Sequence, residues 1–258
     1  MARVLVPLPD RDFDTTEAAV PWAMLRDAGH QVVFATEQGA VAACDPLLLT
    51  GVIFGQLGAD PGPIQDYQAM SQDPAFLAPL RWSELQAEDY DGLLLPGGHA
   101  PGMRQYLGSE LLQAFVARFW ATGRPVAAIC HGVLLLARSK DTQGRSVLRG
   151  TQTTCLPAYM EYLAWGLTAW KLGRYYRTYP ESVQAEVCAL TDPSDFRRGP
   201  LTLGTRGTAD SDRGAFVVQD GRYVSARWPG DAYLFGRTFL SLVEQSVAAR
   251  NSAGSAPP

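Results

Sequence analysis

The stretch RPVAAICHGVLLLA, residues 124–137, sets a cysteine and a histidine side by side between two apolar runs. PVAAI has the length and composition of a buried strand, and GVLLLAR reads as the helix after it. Cys130 and His131 thus fall at a strand-to-helix turn. A cysteine there is lifted above the sheet edge, and the amides opening the helix bring partial positive charge to its sulfur. Both effects favour the thiolate, the nucleophilic form. The competing assignment is a buried structural cysteine; the small neighbours Ala128 and Gly132 suit a tight elbow.

Upstream, RVLVPLPD is a short apolar run, and TTEAAVPWAMLRDAG carries apolar residues at helical spacing up to a glycine stop. HQVVFAT follows as a second strand, so the chain opens on a βαβ unit. YDGLLLPGG is a further buried strand, and SELLQAFVARFWATG an amphipathic helix with Ser109 as its N-cap. Downstream, RGTQTTC is expected to be a strand, GAFVVQDGRYVSAR a hairpin turning at Asp220 and Gly221, and DAYLFGRTFLSLVEQSVAA a closing helix. The predicted fold is α/β: a mostly parallel, flavodoxin-like sheet with helices on both faces and the cysteine at a nucleophile elbow. Ligands of such sheets bind at the carboxyl ends of the strands, where the Cys-His pair sits.

Two segments interrupt this rhythm. Residues 44–82, rich in Gly, Pro and Asp, are expected to be an insertion at the sheet edge or over a site. Residues 159–212 form a second insert. It opens on seven aromatics, Tyr159, Tyr162, Trp165, Trp170, Tyr175, Tyr176 and Tyr179, which suit core, a subunit interface or a lid. The whole is expected to be one domain over residues 1–250, with 251–258 a disordered tail.

With 258 residues, 47% of them hydrophobic, the chain can bury a large core without disulfides. Its four cysteines, at 44, 130, 155 and 188, form no CxxC pair or zinc-type spacing, and the first residues do not resemble a signal peptide. A cytoplasmic location is expected. A net charge of −4 without a basic cluster argues against nucleic acid, and no apolar run approaches the roughly 20 residues of a membrane span.

AICHG about thirty residues after LLLPGG, with FDTTEAAVP near the start, VLRGTQTTCLP, and DGRYVSARWPGDAYLFGRTFLSLV near the end, resembles the ThiJ/PfpI superfamily of class-I glutamine-amidotransferase-like folds. The resemblance implies Cys130 as nucleophile, His131 as its adjacent base, and Glu17 as a protonated carboxyl bonded to the sulfur. Taken by itself, Glu17 reads rather as a first-turn acid of a helix. The resemblance further implies an oxyanion hole from the Gly98 and His131 amides. His99 matches a position that lines the pocket or helps hold a metal in larger relatives; no partner ligand stands at recognisable spacing, so no metal is expected.

The pattern also departs from the family. PfpI-type peptidases carry a glutamate where this chain has Gly102, so peptidase activity by that arrangement is not expected. Other branches take the acid from the segment after TTC, where Glu161 is the candidate third triad member or else a solvated helix residue. No histidine follows His131, which excludes the usual glutaminase triad, and Cys155 is read as a buried strand residue. Arg227 is expected to fix the start of the last helix rather than reach the site. The implied function is a cofactor-free, cysteine-dependent enzyme, dimeric like many relatives, acting on a small reactive carbonyl in the manner of glyoxalase III or on an amide. The alternative is a redox-responsive or chaperone-like stress protein using Cys130 as an oxidation sensor.

Overall fold

The computed structural model describes residues 1–202 and 204–254. Its centre is a seven-stranded sheet of β1 (Arg3–Pro7), β2 (Gln31–Thr36), β3 (Leu80–Arg81), β4 (Gly92–Leu95), β5 (Val126–Ile129), β6 (Val217–Asp220) and β7 (Tyr223–Ala226), in the order β3-β2-β1-β4-β5-β7-β6. All pairings are parallel except β6 with β7. Helix α1 (Thr15–Asp27) and the closing helix α2 (Ala232–Gly254) pack together on one side, and helices Glu110–Ala121 and Gly132–Arg138 on the other. β4 and β5 are fully buried along their length, which is why they read as continuous apolar runs rather than alternating ones.

The chain leaves β1 toward β2 and later returns to β4 on β1's other side, so strand order reverses between β1 and β4. Loops diverge at such a point and open a crevice at the strands' carboxyl ends. Glu17 follows β1, Gly97 and Gly98 follow β4, and Cys130 follows β5. All border that crevice.

Three expectations are corrected. RGTQTTC forms no strand: Thr153 makes an isolated bridge to Phe196, and the place beside β5 is taken by β7. The segment is tied down by side chains instead, with Thr154 N–H donating to Ser225 Oγ and Thr153 Oγ1 bonded to Tyr223 Oη. The hairpin turns at Gly221 and Arg222, since Asp220 already pairs with Tyr223. The last helix continues to Gly254, past the boundary expected at 250; residues 255–258 lie outside the described residues.

The first interruption is not irregular chain. It holds helices Pro46–Thr50, Pro61–Met70 and Pro74–Leu77 before ending in edge strand β3. Each helix begins at an Asp-Pro pair, with Asp as N-cap and Pro in the first turn, where its missing N–H costs nothing. The Pro and Asp content of this insertion is helix punctuation.

The turn after β5 depends on Gly132. A Cβ there would lie 2.2 Å from the carbonyl oxygen of Leu95, at the end of β4. Gly132→Ala is expected to lower stability by about 3 kcal/mol or more, read by urea unfolding, whereas the exposed Gly144→Ala makes no such contact.

Candidate functional site

Cys130 has φ of +58°, a left-handed conformation that non-glycine residues seldom adopt and that clusters at functional sites. Its N–H is held by Ala226 O at 3.0 Å, at the end of β7. The reversal turns the side chain into the crevice. Cys130 Sγ stands 3.5 Å from His131 Nδ1 and 3.7 Å from His99 Nε2, and the two imidazole rings lie 5.0 Å apart. His99 is fixed from behind: the Thr178 hydroxyl donates to its carbonyl at 2.5 Å, and Tyr176 meets its ring edge-on.

Glu17 reaches the same point. The N-cap of α1 is Asp14, whose Oδ1 accepts from Thr16 N–H and Glu17 N–H. Glu17 is thereby free to turn inward, where its Oε2 accepts from Gly97 N–H at 2.9 Å and its carboxyl faces Cys130, its Oε1 buried without a partner among the described residues. Gly97 packs so tightly on the elbow that a Cβ would lie 2.7 Å from His131 N. The Gly98 N–H donates no hydrogen bond among the described residues, while the His131 amide faces the Cys130 sulfur.

Burial governs the protonation of this cluster. It raises Glu17 well above the usual carboxylate range, with Asp14's charge adding to it, which favours the protonated carboxyl. Burial pushes Asp14 up to about 6, with the charge of Asp45 adding to it and Arg206 opposing it. Cys130 is also raised, chiefly by burial and then by the neighbouring carboxyls; the His131 amide pulls the other way and loses. The expectation of a resting thiolate is thus corrected: Cys130 rests as a thiol. Burial lowers His99 to about 4 and His131 well below its usual value, so both imidazoles are neutral and able to accept a proton.

Glu161 is not brought to the pair. It is buried, but its Oε2 accepts from Val183 N–H at 2.9 Å and its Oε1 faces Arg177 at 4.0 Å. No carboxylate contacts His131 among the described residues. Glu161 instead ties the aromatic helix α3 (Ala158–Leu172, numbered after the two already labelled) to the start of the helix Val183–Leu190. Gly102 explains the missing peptidase glutamate: its N–H donates to Asp12 Oδ2 at 2.7 Å, and a Cβ would lie 2.7 Å from both that oxygen and Arg11 O. Arg227 is structural, paired with buried Asp231 at 2.8 Å, and Cys155 is buried away from solvent.

A cavity of about 260 Å³ opens beside His99, bordered by Asp12, Asp14, Asp45 and Arg206 on one side and by leucines of the first insert and of α3 on the other. The aromatic helix is therefore not core: of α3 only Glu161 and Thr168 are buried and Trp170 is 68% exposed, whereas Tyr176 beyond it is buried and Tyr179 packs on the core. Asp14, Asp45 and Thr178 escaped the sequence analysis. FDTTE carries Asp14's signal as a helix cap, but nothing in sequence separation brings Asp45 or Thr178 to this crevice. The donor atoms of His99, Cys130 and His131 lie within 4.8 Å of one another, a grouping that could hold a thiophilic cation and that no sequence spacing displays.

An α/β fold with a left-handed cysteine at the carboxyl end of a central strand defines a nucleophile-elbow protein. The chain belongs to the ThiJ/PfpI family, whose ThiJ/PfpI family-like model matches residues 8–200. It is 28% identical over 256 residues to an uncharacterized protein of Schizosaccharomyces pombe, covering 95% of this chain and 85% of that one. It is 26% identical over 242 residues to a deglycase of Pyrococcus abyssi, covering 94% and 99%. The crystal structure of glyoxalase III from Candida albicans shares the fold, with a TM-score of 0.65 at 20% identity over 96% of this chain and 97% of that one. No helix among the described residues is long and apolar enough to cross a membrane.

Two outcomes follow from this geometry. Asp14's folded pKa lies above its unfolded value, so the native state holds its proton longer and stability declines as pH rises through about 4 to 6. Asp14→Asn keeps the cap and is expected to remove that share of the decline, gaining up to about 2–3 kcal/mol on the parent between pH 4 and pH 7, read from urea midpoints. Glu161→Gln is expected to lower stability by about 1 kcal/mol while leaving turnover unchanged, which a triad member would not do.

Proposed function

We propose that this protein is a thiol-dependent enzyme converting an α-oxoaldehyde and water into an α-hydroxy acid, as a glyoxalase III does. The observation that carries the proposal is Cys130 Sγ standing between two neutral imidazoles at 3.5 and 3.7 Å. Relatives named glyoxalase III and deglycase support it. A resting thiol with a neutral base beside it suits addition to an aldehyde, because the proton leaving sulfur is needed on the carbonyl oxygen.

In the first step the Sγ–C bond forms and the carbonyl π pair moves to oxygen, which receives the thiol proton through His131. The Gly98 and His131 amides steady the oxygen as charge develops. In the second, an imidazole removes the hydrogen from that carbon as a proton, and the electron pair forms an ene-diol with the adjacent ketone. Return of a proton to the former ketone carbon leaves a thioester: one carbon is oxidised and its neighbour reduced. Water then cleaves the Sγ–C bond, releasing the acid and restoring the thiol. With Gly102 closed to any side chain, the peptidase arrangement has no counterpart, so the carbonyl substrate is preferred to an amide.

A second reading, oxidation sensing at Cys130, rests on the buried Glu17 carboxyl beside the sulfur, whose unpartnered Oε1 would stabilise a sulfinate formed by peroxide.

Lactate formation from methylglyoxal tests the proposal. The parent is expected to turn over, Cys130→Ala to be inactive, and His131→Ala to lose about 10²–10⁴-fold in kcat. Equal lactate from parent and Cys130→Ala would sink it; peroxide-dependent gain of two oxygens at Cys130, without turnover, would favour the sensor.

A further inference from the structure

The cavity beside His99 is larger and more apolar than methylglyoxal requires. Its volume is about 260 Å³, against the roughly 150 Å³ of an apolar protein cavity that takes up benzene. Leu48, Val52 and Leu57 of the first insert form one wall, and Met160, Leu163 and Leu167 of α3 another. His99 borders the same space, with its Nε2 3.7 Å from the nucleophilic sulfur. Cys130 does not itself line this cavity, and His99 stands between the two, so a carbonyl carbon joined to the sulfur reaches the cavity through a substituent that extends past His99.

Much of the polar wall is already engaged: Asp12 Oδ2 accepts from Gly102 N–H, and Arg206 pairs with Asp60 at 3.5 Å. Asp45 already accepts from Leu47 N–H and from the hydroxyls of Tyr175 and Tyr176. Asp14 Oδ1 accepts two amides, which leaves Oδ2 as its open acceptor. A polyol laid against the leucines would bury hydroxyls without partners, a cost that an apolar group does not carry. The rim favours the same occupant: Leu57, Leu163 and Leu167 are each about half exposed, so an apolar group seated among them removes hydrocarbon surface from water on both sides.

We infer that this pocket selects carbonyl substrates bearing a compact apolar substituent, a branched aliphatic or single-ring group, over methylglyoxal and over polyol-bearing carbonyls. For its chemistry the inference rests on the glyoxalase-type reading above; for ligand binding it stands on the cavity alone. The bonds made and broken are those of that reaction. Because the substituent stays in the pocket throughout, its binding is kept in the transition state and raises kcat/KM.

The test compares kcat/KM for isobutylglyoxal and methylglyoxal, and titrates isoamyl alcohol, which has no carbonyl, into the protein by calorimetry. Isobutylglyoxal is expected to be preferred by about tenfold or more, and the alcohol to bind. Ala164→Phe, which puts a ring into the cavity, is expected to erase the preference and the binding. Should that variant fail to fold, Leu167→Asp at the half-exposed rim is expected to lower both in the same direction. Cys130-dependent turnover of methylglyoxal with no preference for isobutylglyoxal and no alcohol binding would overturn the inference and leave the enzymatic reading intact. Alcohol binding that Ala164→Phe abolishes, without turnover of either aldehyde, would uphold the apolar ligand and overturn the glyoxalase reading.

Discussion

The left-handed turn at Cys130 is the constraint on which the site depends. It persists because neighbours over-determine it: Ala226 O holds the cysteine N–H from β7, and the end of β4 presses on Gly132 from the other side. Gly97 closes on the His131 amide, and Glu17 accepts from Gly97 and faces the sulfur. Separate stretches of chain thus converge on the elbow. A shift of any of them would move the sulfur relative to its two imidazoles.

Burial then decides the chemistry that this geometry allows. Helix amides and a nearby imidazole favour a thiolate in water, but in a crevice lined by carboxyls the cost of desolvating a charge is larger. The cluster settles into nearly uncharged forms: thiol, neutral imidazoles, and a protonated Glu17 beside an Asp14 poised near 6. Reactivity comes from proton transfer during attack rather than from a standing negative charge.

Much of the framework was legible. Continuous apolar runs marked β4 and β5, a small-residue turn after an apolar run marked the elbow, and FDTTE marked the start of α1. What misled was local ambiguity. Asp-Pro pairs at 45, 60 and 73 start helices as readily as they break them, and RGTQTTC has strand composition yet spends its hydrogen bonds on side chains of β7. Glu161 looked available to a triad because its distance in sequence from TTC was right; only its bond to Val183 N–H shows where the carboxylate points.

The sequence by itself determined the parallel sheet and the strand-to-helix turn that carries Cys130 and His131, because periodicity and turn chemistry are local properties that the order of residues carries directly; Glu17 was indicated only by the resemblance to the ThiJ/PfpI family. Tertiary structure alone decided that His99 stands at the sulfur, that the thiol is protonated at rest, that Gly102 admits no side chain, and that two inserts wall an apolar cavity. Each of these depends on groups far apart in the chain sharing a few ångströms of space and the same loss of water, and no pattern of spacing encodes that.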